Sequence, residues 1–432
     1  VKVLIIGGGW AGLAAAVEAV RHGHAVTLLE AAPTLGGRAR GIDLRDGERD
    51  LRLDNGQHIL IGAYTECLRL MQTVGVDPGG VFDRRTLTLR FADGGGLVLP
   101  RLPAPFDALL GILGARQWTW TDRLALLGRA ARWQRHGFQC PPALSVAALC
   151  AGLPARVLDE LIDPLCVSAL NTPAAEASAS VFLRVLCDAM FGEPGGSHLL
   201  LPRVDLGALF PQAAARWLAD HGATVRTHAR ATQLARAGSA WRVDDGEADA
   251  VILAGAAWDA RRLVQAALPD DPAAARWCAQ AESLRHTAIA TVYVQAERGL
   301  EAPLLALRAR ADAPAQFVFD RGALGGPAGL LAFVVSASGT DREALGAAVL
   351  AQARRELAAR ELGTLRLIQV VVEKRATFAC TPGLQRPPAE ISNGLLACGD
   401  YIDGPYPATL EGAVRSGVDA IRRLGPVPSP LQ

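Results

Sequence analysis

Residues 1–30 read VKVLIIGGGWAGLAAAVEAVRHGHAVTLLE. The run Val3-Leu4-Ile5-Ile6 lacks polar alternation, as expected of a strand buried on both faces. Gly7, Gly9 and Gly12 follow in the G-x-G-x-x-G spacing, with Trp10 and Ala11 between them. An alanine-rich helical segment ends near Gly23, and a second apolar run, 26–29, closes on Glu30. Each piece has a physical task. Gly7 permits the tight strand-to-helix turn, Gly9 leaves room for a pyrophosphate against the backbone, and Gly12 lets helix and strand touch. The helix start aims free N–H groups and about half a positive charge at phosphate. Glu30, roughly 20 residues further on, is placed to accept the hydroxyls of an adenosine ribose. Strand, turn, helix, strand and acid in this order predict a Rossmann-type α/β domain that binds a dinucleotide.

Residues 31–40, AAPTLGGRAR, extend the motif. Gly36-Gly37-Arg38 matches a segment of FAD enzymes in the amine-oxidase and carotenoid-desaturase superfamily, where it wraps the pyrophosphate. That resemblance implies FAD rather than NAD, and it makes Ala31, Gly36, Gly37 and Arg38 cofactor neighbours. Residues 54–64, DNGQHILIGAY, form the second informative block. Residues 51–54 alternate like a strand, Asn55-Gly56 signals a turn, and a helix is expected over 65–74. The block resembles the G-x-H-I-x-x-G-A-Y segment of plant-type phytoene and ζ-carotene desaturases, which passes beside the flavin ring. Asn55, Gly56, Gln57 and His58 are thereby implied at the cofactor. His58 itself has two readings: a histidine hydrogen-bonded to fix a turn, or a group acting beside the reactive ring.

The far end of the chain supplies a matching half. Residues 394–400, GLLACGD, read as a buried strand ending in Gly399-Asp400, and a helix is expected from Leu410. Gly-Asp at a strand end places a carboxylate against the ribityl chain and pyrophosphate. The helix start, with Thr409, Leu410, Glu411 and Ala413, aims its dipole at the flavin N1 and O2. This segment resembles the C-terminal G-D-Y…A-S-M-E-G-A-V signature of the plant-type desaturases. In that superfamily the chain also returns to its nucleotide domain midway, which implies Ala231 beside the adenosine and Ala254 beside the glycine turn.

Composition bounds the rest. The 432 residues suit two or three intermingled domains, and 50% hydrophobic with 20% charged residues argues for a folded chain with ample core. A net charge of +1 gives no field to attract nucleic acid. None of the eight cysteines forms a C-x-x-C pair or takes metal spacing with histidine, so no metal site is expected. They read as buried thiols in a reducing compartment. The nucleotide strand starts within the first residues and no apolar run is long enough for a spanning helix. These features set the expectation of a cytoplasmic protein, soluble or peripheral on the inner face of the membrane.

The FAD domain is expected to be discontinuous, from 1–84, 196–257 and 365–432, with an interleaved α+β substrate domain from 85–195 and 258–364. Within the latter, 87–99 suggests a hairpin, followed by a long helical stretch. Residues 102–133 mix Leu, Trp and Arg. Trp118, Trp120 and Trp133 beside Arg116, Arg123, Arg129 and Arg132 read either as an amphipathic surface in a lipid interface or as a helix pair packed on its own domain. Residues 163–173, DPLCVSALNTP, look like a cavity lining by resemblance. A helix is expected over 209–221, a strand pair over 224–234, and a long strand over 365–378 that carries the chain between domains. Lys374 near its end reads as a surface charge or as a flavin-side lysine like that of amine oxidases.

Taken whole, VLIIGGGWAGLAAA, DNGQHILIGAY, DPLCVSALNTP and ACGDYIDGPYPATLEGAV resemble the hydroxysqualene dehydroxylase family over essentially the full length. That resemblance implies reduction of an allylic hydroxysqualene to squalene in hopanoid synthesis, on a long hydrophobic isoprenoid substrate, with electrons from an unidentified donor. Hydroxide is a poor leaving group, so the C–O cleavage needs a proton. His58, Asp403 and Tyr406 are the candidate donors by motif position. Two other readings remain: an oxidative carotenoid or isoprenoid desaturase, and a prenyl-lipid carrier of the same fold without catalysis.

Overall fold

The computed structural model describes residues 1–192 and 194–425. The opening strand Lys2–Ile6 sits inside a six-stranded sheet. Its parallel neighbours are Ala25–Leu29 on one side and Ala250–Leu253 on the other. Thr224–Arg226 lies outside the first and Leu395–Ala397 outside the second, both parallel, while Glu390–Ser392 closes that edge antiparallel. Val3, Ile5, Val251 and Ile252 are all buried, so the sheet is covered on both faces, as its unbroken apolar runs require. Helix Trp10–Arg21 is buried continuously from Trp10 to Ala19. Helices Pro211–Asp220 and Leu410–Leu424 pack against it, which is why small residues dominate it. A Cβ on Gly417 would overlap the Ala11 carbonyl. The first helix and the last described helix meet at that contact.

A second sheet is antiparallel throughout, in the order Leu304–Ala306, Phe317–Asp320, Leu330–Ser336, His286–Gln295, Arg366–Phe378. Side chains alternate between its faces. Ala290, Val292 and Val294 pack with Leu345, Val349 and Ala353 of helix Arg342–Glu356, whereas Tyr293, Phe317 and Phe319 face the main core. Helices Phe106–Leu113, Trp120–Arg135, Asp163–Leu170 and Ala179–Phe191 complete this half. The molecule is thus α/β, a Rossmann-type sheet with an interleaved α+β portion.

Two sequence expectations need correction, and a third divides between its two readings. Strand Arg366–Phe378 pairs from Gln295↔Arg366 to His286↔Phe378, so it belongs to the antiparallel sheet. The chain re-enters the parallel sheet only at Glu390–Ser392, well after the boundary expected at 365. No strand pair forms within 224–234: Thr224–Arg226 joins the parallel sheet, and Leu234–Ala237 opens a separate three-stranded meander. The three tryptophans of 118–133 do not share a face. Trp118 and Trp133 are buried, and the Trp118 indole N–H donates to the buried Glu160 carboxylate at 2.7 Å. Trp120 alone points outward, at 64% exposure. A capping box in which Thr119 and Asp122 bond reciprocally fixes the start of that helix and hence its rotation.

Six of the eight free cysteines are buried. Among the described residues no helix is long and apolar enough to cross a membrane.

Candidate active site

A cavity of about 860 Å³ opens where the parallel strands end, between the two sheets. Gly7, Gly9, Trp10 and Ala11 line it from the first strand–helix turn, with Glu30 and Ala31 from the end of the second strand. Gly7 sits at φ +117°, and a Cβ on it would lie within 2.8 Å of the Ala254–Gly255 backbone, so only glycine fits. Gly9 is the opposite case. A Cβ there would meet only the Gly37 Cα, at 3.9 Å, because that side faces the cavity. Gly12 lies outside the lining, and a Cβ on it would overlap the Gly7 carbonyl; its task is the close helix–strand contact. The Glu30 carboxylate accepts from Gly8 N at 2.6 Å and Ala32 N at 2.7 Å, which fixes it at the rim.

Gly36, Gly37 and Arg38 form the facing wall, with Gly36 bridged to Gly9. Arg38 Nη2 donates to Asp400 Oδ1 at 2.5 Å and Nη1 to the Ala376 carbonyl at 2.7 Å. Burial opposes the Arg38 charge, but the Asp400 carboxylate outweighs it and holds the guanidinium pKa above its ordinary value. One ion pair therefore joins the GGR segment to the Gly-Asp turn, 362 residues apart. Gly399 and Asp400 line the cavity, and the Gly399 N–H is held by Ser416 Oγ at 2.8 Å. Thr409, Leu410 and Ala413 bring the start of the last helix to the same space. Thr409 Oγ1 caps that helix by accepting from Gly412 N at 3.0 Å. Ala231 and Ala254 line the wall as well.

The turn 54–58 crosses the other side. Asn55 Nδ2 donates to Glu373 Oε2 at 3.1 Å, and Asn55, Gly56, Gln57 and His58 all line the cavity. Behind them Asp54 is buried and accepts from Leu206 N at 2.8 Å, with Arg321 Nη2 at 3.7 Å. Burial pushes the Asp54 carboxyl up to about 6 despite that arginine. Arg321 Nη1 also reaches Gln57 Oε1 at 3.4 Å, so one buried cation braces both ends of the turn. His58 Nδ1 lies 2.8 Å from the Gly56 carbonyl. A carbonyl only accepts, so Nδ1 carries hydrogen and Nε2 of the neutral ring is a lone pair. Burial lowers the imidazole pKa, with a smaller push from the Arg38 charge, against the Gly56 bond.

Besides Gly12, three expected residues do not reach the cavity. Asp403 is 73% exposed and paired with Arg386 at 3.2 Å, turned outward by the loop after Gly399. Tyr406 stacks edge-on against Tyr64 and lies beneath the guanidinium groups of Arg184 and Arg415. Glu411 is wholly buried but aimed elsewhere: its oxygens accept from Glu66 N at 3.0 Å, Cys67 N at 2.9 Å and Arg415 Nε at 2.6 Å, capping helix Thr65–Thr73.

Residues 167–171 line the cavity, in line with the reading of the DPLCVSALNTP block. Asn171, left-handed at φ +44°, donates to Thr287 and Thr377 and accepts from Ala337 N at 2.7 Å. It ties the helical wall to two strands and to the turn that follows a third. Lys374 is exposed and also borders the cavity. Tyr64, Trp258 and Arg262 are lining residues that the sequence did not single out. Tyr64 stands in the GAY segment, and that was the available signal.

A family model of flavin-containing amine oxidoreductases matches residues 10–424. The chain belongs to this family. Its cofactor is FAD and it is an FAD-dependent oxidoreductase, which sets the catalysis-free carrier aside. The cradle fits that group: an open glycine edge at Gly9, two helix starts and the Arg38–Asp400 pair all converge on the cavity. The chain is 28% identical to the hydroxysqualene dehydroxylase of Rhodopseudomonas palustris over 96% of both chains. It is 26% identical to that of Zymomonas mobilis, over 96% of this chain and 97% of the other. The ζ-carotene desaturase of Zea mays is 37% identical, but over 30% of this chain and 22% of its own. Among solved structures, an oxidoreductase from Methanosarcina mazei superposes with a TM-score of 0.73 at 15% identity, over 98% of this chain and all of that one. Cyclohexylamine oxidase from Brevibacterium oxydans gives 0.62 at 16%, covering 98% of each.

Proposed function

We propose that this flavoprotein reduces hydroxysqualene to squalene, removing an allylic hydroxyl. The observation that carries the proposal is coverage. The hydroxysqualene dehydroxylases match 96% of the chain, including the helical layer that walls the cavity, whereas the ζ-carotene desaturase match stops at 30%.

When bound, FAD in its reduced form supplies the hydride, and an external reductant restores it. The protein's own tasks are to bind a long hydrocarbon, exclude water and deliver a proton to the departing oxygen. Ile59, Val167, Ala169, Leu170 and Ile289 give the cavity an apolar side on which an isoprenoid chain is desolvated. Asn171 holds that wall in place through two strands and the turn after a third. Of the three candidate donors, His58 alone lines the cavity. With Nδ1 committed to Gly56, only its imidazolium form has an Nε2 proton to give. Tyr64, whose phenol is kept protonated by burial, is a second hydrogen-bond donor on the same wall.

The test is anaerobic incubation of the holoprotein with hydroxysqualene and dithionite, followed by mass spectrometry, against phytoene with a quinone. Squalene in the first arm and no desaturation in the second is the expected result. Desaturation of phytoene without loss of the hydroxyl from hydroxysqualene would replace the proposal with the oxidative alternative.

A further inference from the structure

The part of the helical layer remote from the cavity leaves an apolar face uncovered. Phe106, Leu109 and Leu110 of helix Phe106–Leu113 are 57%, 39% and 48% exposed. Their i, i+3, i+4 spacing puts them on one side of the helix. Trp120 and Leu124, one turn apart on helix Trp120–Arg135, are 64% and 62% exposed. The two helices pack against each other, so five of the largest exposed apolar side chains of the molecule gather on neighbouring elements. Scattered apolar residues need no explanation, but a cluster of this kind marks a surface that is covered in use.

The charges around it indicate what covers it. Residues 101–136 contain six arginines and two aspartates. Both aspartates, Asp107 and Asp122, are buried, so the outward charge of the segment is positive. Arg123 lies 4.9 Å over the Trp120 ring. At the end of helix Phe106–Leu113, Gly114 and the exposed Val98 border a small pocket of about 180 Å³ with Arg90 and Arg116 on its wall. Neither arginine is in an ion pair with any described acid. Two unpaired guanidiniums beside an outward aromatic and leucine face match an anionic phospholipid surface, with acyl chains meeting the leucines and phosphates meeting the arginines. A second copy of the chain would present the same positive charge to itself and be repelled.

We infer that this face, Phe106, Leu109, Leu110, Trp120 and Leu124 with the Arg90–Arg116 pocket, docks the protein on anionic bilayers. The surface is separate from the cavity, so its occupation is measurable without substrate or turnover, and its failure would leave the proposed reaction untouched.

The test is flotation of the FAD-loaded protein with vesicles of equimolar phosphatidylcholine and phosphatidylglycerol, and with phosphatidylcholine alone. Wild type floats with the anionic vesicles and not with the neutral ones, and free inorganic phosphate does not displace it. Phe106→Glu with Leu110→Glu abolishes flotation. Arg90→Gln with Arg116→Gln weakens it about 30-fold, as expected for two basic contacts near 1 kcal/mol each. All these positions are exposed, so flavin absorbance and melting temperature stay at wild-type values in each variant. Equal flotation of wild type and the Phe106/Leu110 variant would overturn the inference. So would a wild-type dimer that ignores anionic vesicles and becomes monomeric in that variant, because the face would then cover a second copy.

Discussion

His58 shows how one hydrogen bond decides a chemical role. Because the Gly56 carbonyl holds Nδ1–H, the ring gives a proton from Nε2 only when charged. Burial and Arg38 lower its pKa below the ordinary value of 6.5, so the donor form is a minority at neutral pH. Turnover under single-turnover conditions should therefore rise as pH falls toward that lowered value. His58→Gln should remove this limb and slow product formation by roughly 10²–10⁴-fold while leaving bound flavin intact. A limb that survives in the variant assigns the proton elsewhere. The motif glycines separate in the same residue-level way. Gly9→Ala adds a methyl into the cavity, and the variant should purify colourless yet melt like wild type stripped of FAD. Gly12→Ala, whose Cβ collides with the Gly7 carbonyl, should lose stability itself.

Among elements, the last helix serves two neighbours at once. Its start borders the cavity, yet Glu411 in its first turn caps another helix, accepting from Glu66 and Cys67. Removing that buried carboxylate leaves two N–H groups and the Arg415 guanidinium without their acceptor. Glu411→Ala should cost about 2–4 kcal/mol in chemical unfolding. FAD affinity of the folded fraction should remain at the wild-type level, since the side chain points away from the cavity. A lowered affinity with unchanged stability would instead make Glu411 a cofactor contact.

Across the whole molecule, the turn that follows Asp54 is tied to the antiparallel sheet. Tyr293 of the antiparallel sheet bonds the Asp54 backbone, and Arg321 reaches both Asp54 and Gln57. Burial raises the Asp54 pKa from 3.8 to about 6, so between those values the folded state binds more protons than the unfolded one. This group therefore favours folding at low pH, and its contribution is lost as pH rises through about 6. The full effect is of the order of 3 kcal/mol at alkaline pH. Asp54→Asn keeps an acceptor for Leu206 N but does not titrate. The stability difference between wild type and this variant should change by up to that amount from pH 4 to pH 8, with wild type relatively weaker at pH 8. A difference that is flat with pH would mean that Asp54 titrates normally.

Local chemistry alone determined the nucleotide half of this protein. Glycine spacing, an unbroken apolar strand and an acid at the next strand end are short-range constraints, and Gly7, Gly9 and Glu30 lie where those constraints put them, while Gly36, Gly37 and Arg38, read from a family resemblance, line the same cavity. The helix starting after Thr409 was equally legible, because a capping hydroxyl acts within one turn. Side-chain direction was not. Asp403, Tyr406 and Glu411 stand in the right segment, but their orientations are set by Arg386, Arg184 and the backbone of residues 66–67, contacts that only the tertiary fold creates. The same holds for Trp118, turned inward by Glu160, and for the strand 366–378, whose partner lies some 80 residues earlier in the chain. A sequence fixes what a residue can bond, whereas packing decides which of those bonds is within reach.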